Sequence, residues 1–189
     1  MKLFPLLPTV FLLSAATVAV AQTPPRPASP ASPPAAAAPA PDRTTASFGD
    51  WILRCDRRTD VTPPQRFCEV GQTIQRAGDA GPQAQVGLGK VDKNEPLRLT
   101  VLLPVSVTFA GNAKLVGDGP LVDLVWLRCL PAGCFASAPV PDELLKKFRA
   151  MKDTARLEYK DGAGRDVALS ISFRGFNEAT DALQRENAQ

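Results

Sequence analysis

The sequence predicts a mainly β fold, a single antiparallel β-sandwich with two short accessory helices. Three observations favour this class. From residue 48 onward, short segments alternate apolar with polar residues, and glycine- or proline-rich turns separate them. Two further segments have the apolar period of amphipathic helices. Many short strands combined with only two helices are typical of an antiparallel sandwich or barrel with α additions.

The composition excludes several classes of protein. The chain has 189 residues, enough for one ordinary domain and an appendage. It contains no histidine, which excludes Ser-His-Asp and Cys-His nucleophile pairs and His-ligated metal sites. The 22 Lys and Arg residues and 19 Asp and Glu residues give a net charge of +3. Because the two signs are interspersed, the chain lacks the basic patch of a nucleic-acid-binding protein.

Residues 1–21 have the features of a secretory signal peptide. Lys2 gives a positive start, and residues 3–20 carry no charge. Ala19 and Ala21 are small residues of the kind that signal peptidase recognises, which predicts cleavage between Ala21 and Gln22. A membrane anchor is the alternative, but two prolines interrupt the apolar run and no basic cluster follows it. We therefore expect a mature chain without a transmembrane segment.

Residues 22–46 predict a Pro/Ala-rich disordered linker. Within residues 22–41, eight residues are proline and seven are alanine. Such a segment buries almost nothing and favours an extended, solvated conformation, as a semi-rigid spacer does. A ligand for a proline-reading domain is the alternative. The folded domain is then predicted over residues 47–186.

Strands account for most of this domain. The segment 121–130 is apolar on both faces apart from Asp123 and Arg128, as a central strand is. The turn at residues 161–164 predicts a hairpin near the C-terminus. In chain order, strands are predicted at residues 51–55, 67–75, 85–91, 97–103, 105–109, 121–130, 135–140, 157–159 and 167–173.

Two helices interrupt the strands. The first begins at Pro141, whose fixed φ suits a helix N-terminus, and extends to Lys152. Its apolar residues share one face, and its opposite face is basic. This basic face could touch an anionic surface, although solvation is the ordinary interpretation of such a face. The second helix is predicted over residues 177–186, with a short apolar stripe that includes Leu183.

The four cysteines predict two disulfide bonds. An exported chain enters an oxidising compartment, where an even number of cysteines usually forms disulfides. Sequence proximity favours the pairs Cys55–Cys68 and Cys129–Cys134 among the three possible connectivities. A redox pair and a Cys₄ zinc site are the alternatives. Neither pair has C-x-x-C spacing, which disfavours both.

The two tryptophans are the largest apolar side chains in the domain. Aromatic anchors can mark a binding face. Trp51 and Trp126 both lie in predicted strands near cysteines, so we expect both to pack in the core.

Three further groups of residues have some features of a calcium, phosphate-binding or catalytic site. The turn Asp161–Asp166 has carboxylates but lacks the alternating oxygen ligands of a calcium loop. The segment Gly87–Lys90 resembles a phosphate-binding loop only weakly, because Val91 stands where Ser or Thr is required. The remaining carboxylates could serve acid–base catalysis, but nothing in the sequence pairs them around a pocket; they are Asp92, Glu95, Asp142 and Glu143. The sequence therefore predicts no catalytic residue, cofactor or metal site.

Several short motifs follow one another at a distinctive spacing over residues 47–186. They are Phe48-Gly49-Asp50-Trp51, Cys55, Cys68 with Gln72, Pro104, Cys129 to Cys134 with Ala136, and Gly175-Phe176 with Ala179 and Leu183. In their order and spacing they resemble the invasion-associated locus B family of secreted bacterial proteins. The chain departs from the family pattern at Ser106, where glycine is expected after Pro104.

The resemblance implies an immunoglobulin-like β-sandwich, export to the periplasm or cell surface, and no catalytic residue. In one pathogen the family is linked to host-cell entry. With the predicted signal, linker and disulfides, this favours a non-enzymatic exported protein that binds an envelope or host protein. A carboxylate-dependent hydrolase of envelope polysaccharide and a structural protein associated with the outer membrane are the alternatives.

Overall fold

A computed structural model describes residues 41–76, 78–79, 81–92 and 94–188. The predicted signal peptide and most of the predicted linker lie outside the described residues. The strands are β1 (Arg43–Phe48), β2 (Trp51–Arg58), β3 (Gln65–Ile74), β4 (Ala84–Gly89), β5 (Arg98–Leu103), β6 (Ala113–Val116), β7 (Pro120–Leu130), β8 (Gly133–Pro139), β9 (Thr154–Lys160) and β10 (Asp166–Ser172). The helices are α1 (Asp142–Ala150) and α2 (Phe176–Asn187).

The ten strands form one antiparallel sheet in the order β1-β2-β3-β4-β5-β8-β7-β6-β9-β10. The mainly β prediction with two helices is therefore confirmed. The strands follow one another in a single hydrogen-bonded order. This order alone does not divide them into the two facing layers of an immunoglobulin-like sandwich. The sheet nevertheless bends, so that β2 and β10 approach each other although they are far apart in the strand order. The side chain of Trp51 on β2 donates a hydrogen bond to the Ser172 carbonyl of β10.

Strand β1 was not predicted, and it extends the folded domain toward the N-terminus. The domain was expected to begin at residue 47, but Arg43 already pairs with Asp56 of β2. The β1 sequence is mostly polar and exposed, so it lacks the apolar alternation by which strands are recognised. Its backbone pairing with β2 holds it in the sheet instead.

Strand β7 changes partners halfway along its length, which corrects its prediction as a central strand. Its first half, up to Leu124, pairs with β6, whereas Val125 to Leu130 pair with β8. The ladder has an irregularity between Trp126 and Arg128. Each half thus has one strand neighbour, and with Val125 and Leu127 more than half exposed, apolar side chains on both faces did not indicate burial here.

The predicted strand at 105–109 is instead a loop with one isolated bridge, Val107 to Asp161. The Ser106 carbonyl accepts a hydrogen bond from Gly162 N–H at 2.8 Å. Val105 and Phe109 remain exposed, so their alternation reflects no burial.

The helices lie close to their predicted positions. Helix α1 turns Leu145 and Phe148 into the core, and its lysines outward. Helix α2 buries Ala179 and Leu183 and packs on β1, β2 and β3. The apolar core is continuous with these helices, and an aromatic group closes it; its members are Trp51, Phe148, Phe173 and Phe176.

Candidate functional site

The two ends of the domain meet at a clamp between residues 48–51 and 172–176. Asp50 N–H donates to the Arg174 carbonyl at 3.1 Å, and the Arg174 guanidinium holds the Asp50 carboxylate through two contacts of 2.5 and 3.2 Å. Gly49 and Gly175 allow this approach. A Cβ on Gly175, at φ +84°, would lie 2.1 Å from the Phe48 carbonyl oxygen, so only glycine fits there.

Gln72 completes the clamp from β3. Its amide N–H groups donate to the carbonyls of Ser172 at 3.2 Å and Asp50 at 3.4 Å. Its amide oxygen accepts the Ser172 N–H at 3.0 Å. The Gln72 amide is therefore fully engaged in main-chain contacts that join the two ends of the domain. Several family-motif residues thus serve the fold here.

The arginine contacts shift the acid–base equilibrium of the clamp carboxylate. Hydrogen bonds from Arg174 and from Ser172 lower the pKa of Asp50 below its usual range, because they stabilise the charged form. At the turn Asp161–Asp166, for which the sequence disfavours calcium binding, hydrogen bonds from Arg165 and Ala163 likewise lower the pKa of Asp161. The Asp161 carboxylate oxygens therefore hold the turn together.

The other sequence candidates are scattered. Asp92, Glu95, Asp142 and Glu143 are all exposed. Across the described residues, no Asp or Glu side chain is buried, so the paired buried carboxylates of the hydrolase alternative are not found. Gly87–Lys90 lies mostly on strand β4, whose extended backbone differs from a phosphate-binding loop.

Both predicted cysteine pairs are disulfide-bonded. Cys55 and Cys68 are opposite each other on β2 and β3, as are Cys129 and Cys134 on β7 and β8. Within the described chain, a carboxylate oxygen of Glu186 lies within 4.8 Å of the sulfurs of Cys55 and Cys68. These two sulfurs are bonded to each other in the disulfide, whereas zinc binds deprotonated thiolates.

Trp51 and Trp126 have different environments. Trp51 is buried, as expected, and lies edge-on to Phe176 at 5.0 Å between ring centroids. Trp126 is only half-buried, contrary to expectation. Its indole N–H donates to the Gly111 carbonyl at 2.8 Å, and its ring meets Phe109 edge-on at 5.0 Å.

Several exposed or half-buried apolar side chains lie along residues 125–130 of β7 and beside them at Phe109, and we call this group the β7 patch. Val125, Leu127 and Phe109 are 56%, 57% and 56% exposed, respectively. Residues 125–130 pair with β8 on one side, and on the other side no described strand pairs with them. An open strand edge beside exposed apolar side chains is a typical protein-binding feature. The patch consists of Phe109, Val125, Trp126, Leu127 and Leu130.

A second surface feature is concave and polar, and we call it the outer trough. It crosses the solvent face of β2, β3, β4 and β5 and has two adjoining parts of about 190 and 160 Å³. Gly87 on β4 lies where both parts meet. The first part reaches Arg98 and Lys90, and the second reaches Phe135. The residues common to both are Arg54, Glu69, Gly87 and Thr100.

Residues 51–184 match the family model described as "Invasion associated locus B (IalB) protein". The chain belongs to the IalB family. The crystal structure of invasion associated protein B from Bartonella henselae is similar, with a TM-score of 0.60 and 14% sequence identity over 75% of this chain and 95% of that one. At this identity the likeness shows a shared fold. No curated protein matched significantly.

IalB is not a known enzyme family. In the described part of the chain, no helix is both long and apolar enough to cross a membrane.

The family match begins at Trp51 and ends at Gln184, so it includes both disulfides and most of the clamp. Sequence reasoning missed both surface features, since the β7 patch had been interpreted as a central strand.

Proposed function

We propose that this IalB-family protein is an exported, non-enzymatic binding protein of the bacterial envelope. It acts in the periplasm or at the cell surface after cleavage between Ala21 and Gln22. The N-terminal sequence pattern and the two disulfides support export, because disulfides persist in oxidising compartments. Membership of an envelope-associated family agrees with this location.

The β7 patch is the observation that carries the binding role. Its occupant is an extended segment of an envelope or host protein that pairs with the open edge of residues 127–130. Strand addition of this kind gives affinity through main-chain hydrogen bonds and specificity through side-chain contacts. Leu127 and Leu130 supply apolar contacts on that edge, and Arg128 between them favours a partner segment with a carboxylate.

We also assign the bent sheet to a two-layer, immunoglobulin-like sandwich. The Trp51–Ser172 hydrogen bond supports this, because it brings β2 and β10 together although they stand far apart in the strand order. An experimental structure tests the assignment by whether two facing layers enclose the core.

Paired substitutions test the binding role. Leu127→Lys places a charge in the β7 patch, at a position that is already 57% exposed, so it changes stability little. Ala46→Lys is the matched control, since it adds the same charge to exposed β1, the strand at one end of the sheet. The proposal predicts that the Leu127 variant alone stops co-purifying with a cross-linked envelope partner. Equal recovery of that partner with both variants would contradict it.

Export is tested separately by cell fractionation and N-terminal sequencing. The proposal predicts a mature chain that begins at Gln22 and is found in the periplasm or outside the cell. A cytoplasmic chain that retains residues 1–21 would overturn it.

A further inference from the structure

The outer trough contains a half-buried arginine without a counter-ion. The Nη2 of Arg98 donates to the Ser137 hydroxyl at 3.0 Å, and that serine is only 2% exposed. This anchor fixes one edge of the guanidinium. No ion pair joins Arg98 to a carboxylate in the described part of the chain. A partly desolvated guanidinium with unused N–H donors is suited to bind an anion.

A second arginine faces the same space from the other side of the trough. Arg54, Glu69, Gly89 and Arg98 stand side by side in one cross-strand row. At about 4.8 Å per strand, the two arginine Cα atoms are about 14 Å apart, and Gly89 between them has no side chain. Arg54 is exposed, and among the described residues no ion pair holds it.

The charges lining this end of the trough favour an anion. Two arginines and Lys90 line this end, against two acidic residues. One of the two, Asp56, is paired with Arg43 at 2.5 Å. The other, Glu69, forms no ion pair among the described residues. The trough therefore combines two arginines with one carboxylate that is not already held by a described cation.

The rest of the trough offers neutral hydrogen-bonding groups around an open floor. Thr73, Gln85 and Thr100 line it, and Phe135 lies at the far end. Gly87 forms the floor without a positive φ, so its backbone conformation does not require glycine. The nearest atom to a Cβ at that position is the Glu69 carboxylate oxygen, at 3.3 Å.

We propose that the outer trough binds an acidic oligosaccharide. Its carboxylate or phosphate group is bound by Arg54 and Arg98. Its sugar hydroxyls are bound by Glu69, Thr73, Gln85 and Thr100, and a ring packs against Phe135. An open backbone floor admits a flat sugar ring, and the elongated shape admits more than one sugar unit. The trough adjoins the β7 patch, since Thr100, Ser137 and Val125 stand in one cross-strand row, but none of the proposed sugar-binding groups belongs to that patch.

Calorimetric titration of the mature protein at low salt tests the proposal. The carboxylate probe is a tetramer of galacturonic acid, and the phosphate probe is maltotetraose 1-phosphate. The methyl-esterified tetramer, plain maltotetraose and inorganic phosphate are the controls. At least one acidic probe binds, and its neutral counterpart and inorganic phosphate bind at least tenfold more weakly. Whichever acidic probe binds more tightly identifies the anion.

Three variants locate the binding site. Arg98→Gln and Arg54→Gln each weaken binding at least tenfold, and Gly87→Val abolishes it by filling the floor while unfolding at an unchanged or higher temperature. Arg156→Gln removes an equal charge from β9, outside the trough, and leaves binding unchanged. Leu127→Lys also leaves it unchanged, which separates this proposal from the β7 patch.

Four results would overturn the proposal. They are no binding of either acidic probe, equal binding of the neutral probes, equal binding of inorganic phosphate, and an equal loss of affinity in Arg156→Gln and Arg98→Gln. The last result would mean that general electrostatic attraction, rather than the trough, binds the sugar.

Discussion

The indole N–H of Trp51 donates a hydrogen bond to the main-chain carbonyl of Ser172, 2.8 Å away and 121 residues later in the chain. The same carbonyl accepts an amide N–H from Gln72. These bonds join the second strand to the last, and several motif residues of the IalB family lie around them. These motif residues therefore have a structural role, since they join distant strands of the fold, and they do not form a ligand site.

Trp51→Phe tests this closure. The variant loses the bond to Ser172 and part of the ring contact with Phe176, in the buried core. We expect the free energy of unfolding to fall by roughly 1–3 kcal/mol, as for loss of a buried hydrogen bond. Trp126→Phe is the matched control, because its bond to Gly111 is exposed. Urea denaturation of both variants checks this, and an equal loss in the two would show that Trp51 has no special structural role.

Gly175→Ala tests the close approach between the two segments of the clamp. Gly175 and Gly164 have similar positive φ angles of +84° and +77°, but only at Gly175 would a Cβ collide with backbone. Gly164→Ala should therefore lower the free energy of unfolding only by the cost of the left-handed conformation, about 1–2 kcal/mol. Gly175→Ala should lower the free energy of unfolding by several kcal/mol or prevent folding. Thermal unfolding measures both, and similar melting temperatures would refute the clamp geometry.

Asp50→Asn tests the electrostatic contribution of the clamp. The pKa of Asp50 is lowered in the folded state, so its ion pair with Arg174 stabilises the fold above the unfolded-state pKa of about 3.9. This stabilisation disappears as the pH falls through the lower folded-state pKa. The variant should melt below the wild type at pH 7, and the difference should shrink below about pH 4. A difference that stays constant down to pH 2 would exclude a charge effect.

Mild reduction should distinguish the two disulfides. Cys129 is exposed, whereas Cys55 and Cys68 are 1% and 6% exposed. A reductant should therefore reach Cys129–Cys134 first in the native protein. Alkylation followed by peptide mapping should find the Cys129–Cys134 thiols before those of the other pair. Reduction of Cys55–Cys68 first, or free thiols before any reductant is added, would contradict the disulfide assignment.

Loss of both bridges should lower stability further. Closing loops with sequence separations of 13 and 5 residues contributes roughly 3 and 2 kcal/mol on the chain-entropy model. We therefore expect full reduction to lower the melting temperature by at least several degrees.

Local patterns in the sequence were enough to predict most of the elements. The apolar stripe with Leu145 and Phe148 placed α1, and the alternation of Leu99, Val101 and Leu103 placed β5. Strand β1 was missed because main-chain pairing with β2, rather than an apolar face, holds it in the sheet. Periodicity detects buried faces and not pairing partners.

The candidate sites depend on long-range pairing and were therefore not predictable. Arg54 and Arg98 are 44 residues apart in sequence, and only the register of four strands places them in one row. The exposure of Val125 and Leu127 on β7 was likewise not predictable, because an apolar segment does not show which face of the sheet other elements cover.

Photocross-linking in living cells is the sharpest test of strand addition at the β7 patch. The full-length protein carries p-benzoylphenylalanine at position 127 in one strain and at position 46 in another. We expect a discrete adduct from position 127 only, and we expect it to map to an extended segment of one envelope or host protein. The adduct should disappear when Val125→Lys is added. Equal adducts from both positions, an adduct only with a second copy of this chain, or none at all would contradict strand addition at this patch.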